Sequence, residues 1–344
     1  MISYKKYFFI ISGFVISSGF LWLAFRNVPM SDILLYFIDV NYFLVFIALL
    51  IILISFFLRA VRWHILLSKK EKLMRTFHIL MTGFMLNCIV PGRAGEIARP
   101  LMVSRHPDIS LAEALITIAI ERFFDLVMLL LFFFILIFFI HIPEDLSYEF
   151  GNYVLSRQLL LGYVSNMAMI AVILFLSLLS VFYLNKKNIF GLTFLKRFEV
   201  VLENLVKGID QLKDTIALIK ISLLSFIIWF LQICSYYLVV KACAGVDMNF
   251  METAFVMVII CFFIAIPSVP GFWGVWEAGG IFAMSVLGIA KTNAAGYNLF
   301  NHAVQMIPVM IIGIISSWFL SFKYNEQYDN MEDSLVIKQS GKQD

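Results

Sequence analysis

Long apolar stretches separated by short clusters of Lys and Arg run from end to end of the chain. A membrane-crossing helix needs about 20 mostly apolar residues. Six stretches approach or exceed that length: Tyr7 to Phe25, Tyr42 to Leu58, Leu111 to Ile140, Leu159 to Leu184, Ile221 to Val240 and Leu299 to Leu320. Two others, Phe77 to Val90 and Phe250 to Ile266, are shorter, and each runs into a Pro/Gly cluster followed by a second short apolar run. That pattern predicts two helical hairpins, over about 77–105 and 250–289, each entering and leaving on one side of a membrane. The expected fold is an all-α polytopic membrane protein with about six full transmembrane helices and two re-entrant hairpins.

Charge sets the orientation, because Lys and Arg in short loops favour the cytoplasm. Arg59 to Arg75 holds six of them and Asn185 to Lys220 seven, whereas Arg26 to Asn41, His141 to Gln158 and Lys241 to Asn249 hold one each. Both termini are then expected in the cytoplasm, with the first hairpin opening inward and the second outward. Opposite openings are what an inverted-topology repeat requires. The sequence carries a matching echo: Val90-Pro91-Gly92 with Gly95 recurs as Val269-Pro270-Gly271 with Gly274, an offset of 179 residues that also carries Arg122 onto Asn301. The expected organisation is a first repeat over 1–184, an amphipathic interfacial helix within 185–217, a second repeat over 218–322 and a disordered cytoplasmic tail over 323–344.

Composition narrows the function. With 62% hydrophobic and 14% charged residues, no polar block is large enough to fold a catalytic domain, and a net charge of +3 spread over alternating clusters makes nucleic acid an unsuitable partner. The four cysteines form no CxxC pair and the five histidines show no metal-ligand spacing, so no metal or cofactor is expected. No phosphate-binding GxxxxGK[ST] loop is present.

The informative residues are ionisable groups in apolar surroundings. Arg93, Glu96 and Arg99 follow the first short helix, where Pro91 ends it and Gly92 and Gly95 let the backbone turn. Arginine's planar donors suit a phosphate. The same residues would also serve as internal fasteners of the hairpin or as surface anchors. Glu121, Arg122 and Asp125 lie about 15 to 20 Å along the next helix. A charge there costs at least ~2.5 to 3.5 kcal/mol, which marks the trio as functional candidates or as partners of Arg93 and Arg99. Glu277 is the lone charge of the second hairpin, either a coupling carboxylate or a helix-terminus partner. Asn301, His302 and Gln305 give the last helix a polar stripe that reads first as packing.

The segments VPGRAGEIARP, ERFFDL and VPGFWGVWEAG together resemble the flippase-like transmembrane region of the lysylphosphatidylglycerol synthase family, over nearly the whole chain to about Leu320. Pro91, Gly92, Arg93, Gly95, Glu96 and Arg99 match the first motif, Glu121, Arg122 and Asp125 the second, and Pro270, Gly271, Gly274 and Glu277 the third. The resemblance implies movement of a phospholipid or lipid-linked headgroup between leaflets of the inner membrane, with Arg93, Arg99, Glu96 and Arg122 at the headgroup and Glu121, Asp125 and Glu277 positioning charge. Phe272 and Trp273 depart from the small residues usual after the third Pro-Gly, which bears on a lysyl-lipid substrate. No aminoacyl-transferring module accompanies the match, so the chain is not expected to be an enzyme. Membrane lipids are the expected partners, with a homodimer or a lipid-modifying enzyme as further possibilities. The alternative is a membrane-embedded enzyme or scaffold that holds a polyprenyl or phospholipid phosphate.

Overall fold

In a computed structural model, residues 15, 17–26, 28–140, 147–150, 153–156, 162, 215–266 and 268–340 are described. Residues 17–25 are helical, and there follow α1 (Met30–Ile38), α2 (Tyr42–Leu66), α3 (Leu73–Ile89), α4 (Ala94–Val103), α5 (Leu111–Ile137), strands β1 (Ser147–Phe150) and β2 (Tyr153–Ser156), α6 (Thr215–Ala242), α7 (Phe250–Phe263), α8 (Val275–Val286) and α9 (Lys291–Ser340). Among the described residues, three helical stretches are long and apolar enough to cross a membrane: Tyr42–Leu66, Thr215–Ala242 and Lys291–Ser321. The shorter apolar helices are α3 and α7. The helix α5 is 27 residues long but carries Glu121, Arg122 and Asp125 near its middle. The expected span Leu159 to Leu184 and the expected linker helix over 185–217 fall almost wholly outside the described residues.

Helix starts are set by local chemistry. Asn41 caps α2 by accepting from Phe43 and Leu44 N–H, Ser110 caps α5 through Glu113 N–H, and Asn249 with Glu252 forms a reciprocal box at α7. Helix ends are set by backbone that cannot continue. Val90 is extended ahead of Pro91, and Gly92 and Arg93 then take left-handed φ values of 77° and 53° before α4 begins. The second break repeats this: Gly271 and Phe272 have φ of 72° and 62°. Glycine adopts such angles freely, whereas Arg93 and Phe272 each bear roughly 1–2 kcal/mol of strain.

The correspondence extends beyond the breaks. A shift of 179 residues takes Leu73–Ile89 to 252–268, beside Phe250–Phe263; Ala94–Val103 to 273–282, beside Val275–Val286; and Leu111 to 290, next to the start of α9 at Lys291. The two breaks meet: Arg93 Nη2 donates to the Ile264 carbonyl at 2.7 Å, and its guanidinium lies 6.0 Å from the Phe272 ring centre.

Close backbone approach holds α3 to α4. A Cβ on Gly95 would lie 1.8 Å from the Gly83 carbonyl oxygen, so only glycine fits. The helix α2 packs along α6, and α9 along α3, where His78 Nδ1 lies 3.1 Å from Ser316 Oγ. The main core gathers Ile52, Tyr236, Met257, Met284 and Tyr297, all nearly inaccessible to solvent.

Three features depart from expectation. The helix α2 runs to Leu66 rather than ending near Leu58, because Trp63, Ile65 and Leu66 continue the apolar face past Arg59 and Arg62. Ser147–Phe150 and Tyr153–Ser156 pair as a short antiparallel β hairpin, Ser147 opposite Ser156 and Phe150 opposite Tyr153, a minor addition to an otherwise helical chain. The last helix continues to Ser340 through the tail expected to be disordered, since no Gly or Pro interrupts the sequence between Gly313 and Gly341.

Candidate functional site

Five arginines and three carboxylates converge where α2, α4, α5 and α6 meet. From α2, Arg62 Nη1 donates to Asp125 Oδ1 and to Ser225 Oγ of α6, each at 2.8 Å, and Nη2 donates to Glu121 Oε1 at 3.1 Å. From α4, Arg99 Nη2 donates to Glu121 Oε2 at 2.7 Å while its guanidinium lies 4.2 Å from the Trp63 ring centre. Glu121 is therefore bridged by two arginines on different helices. Trp229 Nε1 of α6 adds a hydrogen bond to Asp125 Oδ1 at 3.2 Å. Arg62 and Glu121 are fully buried, and Arg99 and Asp125 nearly so.

Toward the surface, Arg122 Nη2 lies 3.2 Å from Asp125 Oδ2, and Glu96 Oε1 lies 3.8 Å from Arg122 and 3.6 Å from Arg93. The side chains of Arg93, Glu96 and Arg122 are 38%, 29% and 35% exposed, so this end of the cluster is open. Neighbouring Ile97, Phe123 and Leu126 are exposed apolar side chains. The charged, partly exposed end of the cluster is thus flanked by exposed apolar side chains.

Arg59 is the exception. It is 7% exposed, forms no hydrogen bond or ion pair among the described residues, and lies 5.2 Å from the Trp229 ring centre and 5.8 Å from that of Phe56. Its Nε, with those of Arg62, Arg99 and Arg122, is buried without a hydrogen-bond partner. At ordinary charges, Arg59, Arg62, Arg93, Arg99 and Arg122 supply +5 and Glu96, Glu121 and Asp125 supply −3, an excess of +2. Uncompensated charge is expensive where it is buried, as at Arg59, and much less so at the open end held by Arg93, Glu96 and Arg122.

The second break carries a separate polar group. Glu277 Oε2 accepts from Gly274 N–H at 2.7 Å at the start of α8, and Glu277 Oε1 lies 2.6 Å from His302 Nδ1 of α9. His302 Nε2 lies 2.8 Å from the Gly271 carbonyl oxygen. The imidazole is stacked on Trp276 with ring centres 4.5 Å apart and 5° between planes, and Trp273 covers it at 4.4 Å. Helical residues 17–25 support this region, with Ser17 Oγ accepting from Val269 N–H at 3.0 Å.

The structure thus brings together Arg93, Glu96, Arg99, Glu121, Arg122 and Asp125. Pro91, Gly92 and Gly95 shape the first break, and Pro270, Gly271 and Gly274 the second. The polar stripe of α9 divides. Gln305 accepts from Gln232 at 2.8 Å and donates to Ser235 Oγ and Asn301 Oδ1, tying α9 to α6, whereas His302 turns to the second break. Sequence reasoning missed Arg59 and Arg62 by assigning them to a cytoplasmic loop. The signal was their i, i+3 spacing ahead of Trp63, Ile65 and Leu66, which extends the helix. Among the described residues, no group of His, Cys, Asp and Glu is arranged to hold a metal ion.

A family model described as the lysylphosphatidylglycerol synthase TM region matches residues 10–313. A UPF0104 membrane protein of Methanocaldococcus jannaschii is 24% identical over 233 residues, which is 67% of this chain and 92% of that protein. No solved structure matches the chain.

Proposed function

The chain belongs to the lysylphosphatidylglycerol synthase TM region family of multi-pass membrane proteins, and from that membership together with the arginine cluster we propose that it translocates an anionic phospholipid or lipid-linked headgroup between leaflets. The observation that carries this reading is the net positive charge of the arginine cluster as a whole, within which Arg59 is a buried guanidinium with aromatic neighbours and no hydrogen-bonded carboxylate. A phosphate satisfies it, because each guanidinium offers paired donors to two oxygens.

In this reading the headgroup enters between Arg93, Glu96 and Arg122, its acyl chains lie along Ile97, Phe123 and Leu126, and the phosphate reaches Arg59. Arg62 and Arg99 are held by Glu121 and Asp125 and act as the fixed frame of the site. The two breaks are the tips of re-entrant hairpins in inverted repeats, a topology supported by the 179-residue correspondence of elements and of left-handed backbone angles. Six full spans, cytoplasmic termini and an inner-membrane location complete the proposal. The reading includes no bond-making step, so the protein acts as a carrier rather than an enzyme.

The test is movement of fluorescent phosphatidylglycerol across proteoliposomes, followed by dithionite bleaching of the outer leaflet. Wild-type protein should move the lipid, and Arg59→Gln should abolish movement without lowering the melting temperature, because Arg59 makes no ion pair. Equal movement by Arg59→Gln and wild type would remove Arg59 from the pathway.

A further inference from the structure

The translocation reading makes no use of the Glu277–His302 pair, yet its hydrogen-bond chemistry is sharply defined. The Gly271 carbonyl can only accept, so His302 Nε2, 2.8 Å away, carries a hydrogen. Nδ1 and Glu277 Oε1 are 2.6 Å apart, too close for two facing lone pairs, so a second hydrogen lies between them. The other oxygen of Glu277 accepts from Gly274 N–H in the first turn of α8, where the positive helix end favours a carboxylate. The Trp276 and Trp273 rings that cover the imidazole favour a cation. The two contacts together therefore hold two hydrogens, and both residues are fully buried.

The surroundings supply no second ionic partner among the described residues. From α6, Tyr236 stacks on Trp276, and Tyr297 of α9 donates to the Tyr236 carbonyl. Cys88 of α3 reaches Met306, one turn beyond His302, and Cys261 of α7 lies near Tyr236. Arg93 of the first break lies beside this turn, its guanidinium 6.0 Å from the Phe272 ring centre.

We propose that Glu277 and His302 form a proton-binding site that latches the second break. With its proton, His302 holds the Gly271 carbonyl on one side and Glu277 on the other, fixing the turn Pro270–Phe272 against α8 and α9. Loss of one proton to water leaves a neutral imidazole, and either tautomer breaks the latch. If hydrogen remains on Nε2, the Nδ1 lone pair faces the carboxylate; if it remains on Nδ1, the Nε2 lone pair faces the Gly271 carbonyl. The latch is closed at low pH and released as pH rises. Trp273, 41% exposed and lying on the imidazole, is the cover that moves. Phe272 of the same turn lies beside Arg93, so release shifts one wall of the arginine site; only that consequence rests on the translocation reading.

The test is acrylamide quenching of tryptophan emission from the full chain in phosphatidylcholine nanodiscs, between about pH 5 and pH 9. No lipid movement is measured, so failure here is separate from failure of the translocation reading. Wild-type quenching should rise in one step with pH, and Trp273→Phe should remove the step. In Glu277→Gln and His302→Gln the step should be lost, with quenching high throughout. A flat wild-type profile, or the wild-type step persisting in both variants, overturns the proposal. Should either variant fail to purify as a single species, wild type and Trp273→Phe still decide, since a latch without a Trp273 step does not exist.

Discussion

Arg62 and Arg59 stand three residues apart on α2 and have opposite roles. Arg62 satisfies Glu121, Asp125 and Ser225 at once, whereas Arg59 packs on ring faces and feels Asp125 and Glu121 only at longer range, without a hydrogen bond. Removing one partner of a buried ionic network leaves the others uncompensated, at about 3–5 kcal/mol. Arg62→Ala should therefore lower the melting temperature of the detergent-solubilised protein markedly, and Arg59→Gln should leave it unchanged; equal melting of the two variants would refute this division. The sequence displayed Glu121, Arg122 and Asp125 plainly, since charges inside a long apolar run stand out whether they serve a ligand or an internal ion pair. Arg59 and Arg62 were hidden because they sit where an apolar run thins, and a short run of basic residues after a span reads first as a cytoplasmic loop.

Among elements, the contact between α3 and α4 is set by Gly83 and Gly95, which leave no room for a methyl group. Gly95→Ala would place its Cβ 1.8 Å from the Gly83 carbonyl oxygen. Such overpacking costs typically about 1–3 kcal/mol. The variant should melt earlier and should weaken the Arg99–Glu121 contact that α4 delivers, whereas Gly92→Ala meets no atom within 4 Å and bears only the cost of its left-handed φ. A thermal melt in which Gly95→Ala matches wild type would contradict the close approach. Element existence was readable from apolar run length and from Pro-Gly punctuation. The continuation of α9 to Ser340 was not, because polarity was taken to mean disorder although no helix breaker was present. The β hairpin was equally hidden, its strands being only four residues each.

At the scale of the whole molecule, an offset of 179 residues relates helix order, Pro-Gly breaks and paired left-handed residues in two segments of the chain. The two breaks differ chemically: the first lies by Glu96, Arg99 and Arg122, and the second by tryptophans, Glu277 and His302. In an inverted topology the loop holding Asp108 and the loop holding Asp247 lie on opposite sides of the membrane. The side chains of Asp108 and Asp247 are 75% and 95% exposed. An impermeant maleimide applied to intact cells should label Asp247→Cys and spare Asp108→Cys, and labelling of both from one side would exclude the inverted arrangement. The echo was visible in sequence as a short motif; its extension to whole helices depends on boundaries that only backbone geometry supplies.

The central claim is that the arginine cluster holds an anionic lipid head, and lipid mass spectrometry of the purified protein tests it most directly. Wild-type protein should carry an anionic or lipid-phosphate species enriched over the bulk membrane, and Arg59→Gln, purified identically and equally stable, should lose it. Matching lipid profiles in the two proteins, both equal to the bulk membrane, would contradict the claim and leave the cluster as a fastener between helices.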